Sequence, residues 1–247
     1  MRRKDRQAAI GFFREELKVC PGNVEACLLL SETLVENGQT RDAVDVLRQG
    51  AAAAEGHPEL LFALGDLYFE NGQLEQAISC YQAVLDRDPE EVDALVSIGL
   101  VHFNLGNLDK SAACYQQALE KDPEYAFALS CLGEVMQARG DKDQARKCYL
   151  EALELDPEDA GVHLNLAENY YEAGDLREAA RECREAILLD PELGEAYLTL
   201  GNIALDLDET REALRHYEKF LACEHSSAAR EIREEVAALI QGLKEEL

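Results

Sequence analysis

A period of 34 residues constrains this chain more than any other feature. Set in blocks beginning at Val24, Pro58, Val92, Ala126, Ala160 and Gly194, the sequence puts the same residue types at the same offsets. The fifteenth place holds Gly38, Gly72, Gly106, Gly140 and Gly174, each between two runs of helical periodicity. A glycine there ends one helix and turns the chain. The thirty-second place holds Pro89, Pro123, Pro157 and Pro191, each after an acidic residue. A missing N–H and a fixed φ stop the second helix at that point. Small residues recur where the two helices of a block meet: Gly65, Gly99, Gly133, Ala167 and Gly201 in the first, Ala43, Ala77, Ala145, Ala179 and Ala213 in the second. Opposite them stand Tyr81, Tyr115, Tyr149 and Tyr217.

In its period, leucine–glycine pair, alanine, aromatic and proline, the chain resembles the tetratricopeptide repeat family over roughly residues 6 to 226. The resemblance implies an all-α fold, a right-handed α-α superhelix (solenoid). It holds about six full repeats at 24–57, 58–91, 92–125, 126–159, 160–193 and 194–226, with an N-terminal half-repeat helix at 1–23 and a C-terminal capping helix at 227–247. The departures are few. The family's aromatic at the fourth place is Cys27, Leu61, Leu95, Leu129 or His163, Cys183 replaces the later aromatic in the fifth block, and the sixth has Asp208 for glycine and His225 for proline.

The segments outside the regular pattern carry their own expectations. Residues 6 to 20 read as a second helix without its first, since Ala9, Phe13, Leu17 and Pro21 fall near the alanine, aromatic, apolar and proline places. Either this helix is a cap whose basic end, Arg2, Arg3, Lys4 and Arg6, faces water, or the array extends further; uncovered apolar sides predict self-association. In the first block the alanine run carries the second helix on to about Glu55, with Gly56 and Pro58 ending it. Asp208 takes the glycine's turn through its tolerance of left-handed geometry or acts as a helix cap. Beyond residue 226, Ser226 or Ser227 is the expected N-cap of a helix whose apolar face is Ile232, Val236, Leu239, Ile240, Leu243 and Leu247.

Fifty acidic against 24 basic residues give a net charge of −26, which repels phosphate backbones and anionic lipid. Nucleic acid and membrane are therefore disfavoured as partners. The sequence has no apolar run of membrane-spanning length and no signal peptide. Eight cysteines without close pairing fit a reducing, cytoplasmic setting.

Catalytic chemistry finds no purchase: there is no phosphate-binding glycine loop, nucleophile elbow, HExxH or CxxC. The five histidines lie in different blocks. Cys80, Cys114 and Cys148 are spaced by 34 and align along one side, but neighbouring repeats sit about 8 to 10 Å apart, beyond disulfide or shared-ligand reach. They read as small hydrophobes. Cys223 and His225 supply two ligands, too few for a metal site. No catalytic residue, metal or cofactor is assigned, and the chain reads as a non-enzyme.

Binding remains. In the family that the chain resembles, the concave surface is lined by the second, fifth, ninth, twelfth and thirteenth places of each first helix. On this sequence the resemblance puts there Phe62, Asp66, Phe69 and Glu70 in the second block and Asp93, Val96, Leu100, Phe103 and Asn104 in the third. Phe127, Glu134 and Gln137 follow in the fourth, and Leu164, Glu168 and Tyr171 in the fifth. These places hold no lysine or arginine in any block, so the cationic clamp with which some family members hold acidic chaperone tails is missing. Apolar side chains amid carboxylates instead suit a basic, partly apolar peptide segment of a partner protein. The expected role is thus a scaffold or adaptor. Two alternatives are self-assembly through the N-terminal half-repeat and the groove, and the non-catalytic arm of a larger enzyme.

Overall fold

The computed structural model describes residues 3–226 and 228–245, with the side chains of residues 3 and 4 outside that description. The expectations for Arg2, Ser227 and Leu247, and for the Arg3 and Lys4 side chains, fall outside the described residues. Among those described, the chain is all-α: 14 helices and no strand. It divides into two units, residues 1–123 and 124–247.

The first unit contains α1 (Arg3–Val19), α2 (Val24–Glu36), α3 (Thr40–Ala53), α4 (Pro58–Glu70), α5 (Leu74–Leu85), α6 (Val92–Asn104) and α7 (Leu108–Lys121). The second contains α8 (Ala126–Ala138), α9 (Lys142–Leu155), α10 (Ala160–Ala173), α11 (Leu176–Leu189), α12 (Gly194–Asp206), α13 (Thr210–Cys223) and α14 (Arg230–Glu245). In each unit the even-numbered helices of the repeats pair with the odd-numbered helices that follow them. α2 also touches α4, and α10 touches both α8 and α12, so successive first helices build one face within each unit.

The turn between paired helices is a hydrogen-bonded device. Gly72 has φ +71°; its N–H donates to the Phe69 carbonyl at 2.9 Å, and the Gln73 N–H donates to the Tyr68 carbonyl at 2.8 Å. These two bonds close the orphan carbonyls at the end of α4. Asp208 repeats the arrangement without a glycine: at φ +59° its N–H reaches Leu205 and the next N–H, of Glu209, reaches Ala204. Of its two expected roles, Asp208 takes the left-handed one.

Inside four of the six repeat pairs, a ring lies on a glycine. A Cβ built on Gly99 would stand 2.4 Å from the Tyr115 ring, and one on Gly133 2.5 Å from Tyr149. The tyrosines are 1–2% exposed, so the ring fills space that only a glycine leaves. The fifth repeat changes both partners together: Ala167 and Cys183 are each fully buried, the added methyl offset by the lost ring. Ser111, at the alanine place of the third repeat, is also buried, and its hydroxyl donates to the Gly99 carbonyl at 2.9 Å.

Two end segments differ from expectation. α3 stops at Ala53 instead of about Glu55, because Glu55 (φ +53°) and Gly56 (φ +77°) both turn left-handed and the Arg87 guanidinium caps the Glu55 carbonyl. On α14 the apolar face narrows to Val236, Ile240 and Leu243 with Leu239 beside them, packed on Tyr217 and Phe220; Ile232 is 39% exposed. Ser226 accepts from the Ala229 N–H at 3.1 Å, one residue before α14 begins.

Candidate functional site

The first-helix face of the first unit is acidic and apolar. Phe62 and Phe69 on α4 are half-buried, packed against a core of Ala77, Tyr81, Val84 and Ile98. The Phe62 ring tilts on Tyr81 with centroids 5.3 Å apart. Tyr81, seated on Gly65, passes its hydroxyl through to Asp66 and donates to its Oδ1 at 2.7 Å. Burial pushes the Asp66 carboxyl above its ordinary value; the Tyr81 bond pulls it back, and Glu70 raises it further. Glu70, Asp93 and Asn104 are exposed, and Leu100 and Phe103 half-buried.

A cleft of about 340 Å³ opens between α2, α4 and α6. Its apolar wall is Leu28, Phe62 and Ala63, with buried Val84 at its floor. Around them stand four carboxylates, Glu59, Asp66, Glu91 and Asp93, with no lysine or arginine in the lining. The side-chain carboxylates of Glu59 and Glu91 have no hydrogen-bond or ion-pair partner among the described residues. Glu91 and Val84 escape a reading confined to the face of the first helices, because one precedes α6 at its N-cap and the other reaches in from α5. A pattern that included the residue preceding each first helix would have found Glu91.

The second unit puts polar groups at the corresponding places and ties them together. Gln137 on α8 donates to Glu172 Oε2 of α10 at 2.7 Å, while Asn169, fully buried on α10, donates to Gln137 Oε1 at 2.7 Å. Glu134 accepts from Asn165 at 3.2 Å, and Lys142 pairs with Glu172 at 3.1 Å. The Tyr171 hydroxyl donates to Asp206 of α12 at 2.8 Å; desolvation first, then Asp206, pushes its pKa up to about 12. Desolvation against neighbouring helices raises the Glu134 and Glu168 carboxyls, Glu168 further through repulsion by Glu172 and Glu195. Phe127 is 48% exposed, its ring 6.3 Å from Tyr125.

Two of the expected face residues belong to the interior. Val96 is 2% exposed and Leu164 9%, the latter packed on Ala186 and Ala196. The fifth place lies at the base of the face, where neighbouring helices close over a short side chain; Phe62 at the same place is long enough to emerge.

A cluster that sequence reasoning missed lies inside the fifth repeat. His163 Nδ1 stands 2.7 Å from Glu182 Oε2, His163 Nε2 is 3.2 Å from the Pro157 carbonyl, and Arg181 holds the other Glu182 oxygen. The Glu182 side chain is 5% exposed. The fourth and twenty-third places meet here, and histidine with glutamate at those two places in one repeat is the signal that would have shown it. Among the described residues no group of three His, Cys, Asp or Glu side chains is placed to hold a metal, and no helix is long and apolar enough to cross a membrane.

Comparison with known proteins follows the same lines. Models described as tetratricopeptide repeat match residues 28–78, 62–126, 114–147 and 160–193, and one described as TPR repeat matches 138–174. No curated protein matches the sequence. Among solved structures, a tetratricopeptide repeat protein from Parabacteroides merdae shares 20% identity over 96% of this chain and 93% of its own, with a TM-score of 0.74. MamA shares 23% identity over 65% of this chain and 94% of its own, at 0.58. A chain of the APC/C hetero-tetramer Cut9–Hcn1 shares 15% over 94% of this chain and 46% of its own, at 0.75. At these identities the likeness is one of fold.

Proposed function

Since the chain belongs to the tetratricopeptide repeat family, whose repeats support a protein-interaction scaffold, we propose that its first unit binds a basic, partly apolar peptide segment of a partner protein. The observation that carries the reading is the cleft, with Phe62, Leu28 and Ala63 facing four carboxylates. An apolar anchor of the peptide loses water against the ring and the aliphatic wall. A neighbouring lysine or arginine then meets the Glu59 and Glu91 carboxylates, so desolvation costs less than in a buried pair. The net charge of −26 draws such a segment in and slows its acidic competitors. Exposed Glu70 and Asp93 extend the acidic rim along α4 and α6.

The test is a panel of labelled peptides that pair lysine or arginine with phenylalanine or leucine, against the same peptides with glutamate for the basic residues. Fluorescence anisotropy should show binding of the basic set alone, weakening as salt rises. Equal binding of the glutamate set would sink the reading.

A further inference from the structure

α1 carries an apolar face that the described residues leave open. By its places α1 is a second-type helix, with Ala9 and Phe13 at the alanine and aromatic positions. Phe13 and Leu17 pack toward Cys27 and Leu30 of α2. Phe12 falls at the place held elsewhere by Cys80, Cys148 and Glu182, which are 4–8% exposed under the first helix of their own repeat. Phe12 itself is 66% exposed and Val19 88%. Ala8, Phe12, Glu15 and Val19 form one exposed helical stripe, and Arg14 and Lys18 flank it.

α14 presents the matching surface. It packs on α13 through Val236, Ile240 and Leu243, in the manner of a first-type helix with no second helix on its other side among the described residues. Its exposed stripe runs Glu231, Glu235, Ala238, Gly242 and Glu245, and a Cβ added at Gly242 would meet nothing within 4 Å. Four times within this chain a second-helix ring rests on a first-helix glycine. Phe12, one place before the tyrosine position, and the Ala238–Gly242 notch offer an exposed ring and an open gap of the same kind, and Arg14 and Lys18, which pair with Asp42 and Glu15 at the surface of their own chain, bring positive charge to Glu231, Glu235 and Glu245.

We propose that the occupant of the α1 face is α14 of a second copy of this chain, the two helices forming a composite pair between molecules. The contact is heterologous, so a dimer retains one free α1 face and one free α14 face and assembly continues beyond it. One helix pair buries less than the ~1,600 Å² of a standard interface, so association belongs at tens of micromolar. The proposal is independent of the peptide reading, because neither stripe contributes to the cleft beside Phe62.

Sedimentation velocity on the full chain tests it. The parent should show a mass that climbs with concentration, while Phe12→Asp and Ala238→Arg, both at exposed positions, should each remain at 27.4 kDa with unchanged melting. Mixing the two variants should restore a 1:1 dimer and nothing larger, since the first keeps a sound α14 and the second a sound α1. A parent that stays monomeric at several hundred micromolar, an Ala238→Arg variant that assembles like the parent, or a mixture that stays monomeric would each overturn the proposal. Glu59→Lys in the cleft should leave assembly intact while weakening basic peptides, which separates its failure from that of the peptide reading.

Discussion

At the twelfth place of its first helices the first unit carries Val35, Phe69 and Phe103, and the second carries Gln137, Tyr171 and Leu205. The phenylalanines are half-buried beside carboxylates, whereas Gln137 and Tyr171 are engaged by Asn169, Glu172 and Asp206 on neighbouring helices. A peptide laid on the second face would have to replace bonds already made, with little net gain. On the first it would cover apolar surface and meet the Glu59 and Glu91 carboxylates. The same repeat place therefore serves as a brace in one unit and, in the proposed binding, as a docking surface in the other, according to whether the side chains satisfy one another.

The interiors differ in parallel, and that contrast can be broken hardest. Where the first unit pairs Leu61 with Cys80, the fifth repeat buries His163 against Glu182. His163→Ala should cost about 3 kcal/mol in a denaturant melt, because removing one partner strands a buried carboxylate that Arg181 alone must hold. His163→Leu with Glu182→Cys, which copies the first unit's pair, should recover most of that loss.

Packing comes next. Gly99→Ala should destabilise the protein by about 2 kcal/mol, since the new methyl would stand 2.4 Å from the Tyr115 ring. Adding Tyr115→Cys imitates Ala167 with Cys183 and should relieve the overlap; if the double variant melts lower than the single one, the two changes in the fifth repeat are not compensating.

For the docking surface, Glu59→Lys with Asp93→Lys should weaken basic peptides about 10- to 100-fold and flatten their salt dependence, with the melting temperature held. Phe69→Ala with Phe103→Ala should also weaken them. Because Phe69 packs on the Tyr81 cluster, that variant should melt lower as well.

The smallest effect is electrostatic. The Glu168 carboxyl is raised above 4.5, so the folded state favours its protonated form; the associated stability is present below the usual glutamate value and lost as pH rises through the raised one. Glu168→Gln should therefore raise the melting temperature at pH 7 by no more than about 2 °C, given the group's exposure, and the gain should vanish near pH 4.

Much of the fold was legible because each signal was local. A glycine at the fifteenth place acts through its own φ, and a proline at the thirty-second through its own missing N–H. Asp208 was readable for the same reason. The face was less so. Phe62 and Val96 share the fifth place, yet one emerges and the other is 2% exposed, because the outcome depends on what neighbouring helices cover. Glu91 and Val84 join the cleft from outside the first helices, and Glu182 meets His163 across 19 positions. Those meetings depend on helix packing, which no single stretch encodes visibly.

Periodicity, small-residue spacing and turn chemistry were enough to establish a repeat of paired helices and the family to which it belongs, since each repeat is stabilised mainly by its own places and its neighbours'. Which side chains remain available to a partner was settled by the packed structure, because availability depends on neighbouring side chains. Tyr171 is engaged by Asp206 from the following repeat, and Phe12 is open because no helix among the described residues lies over it.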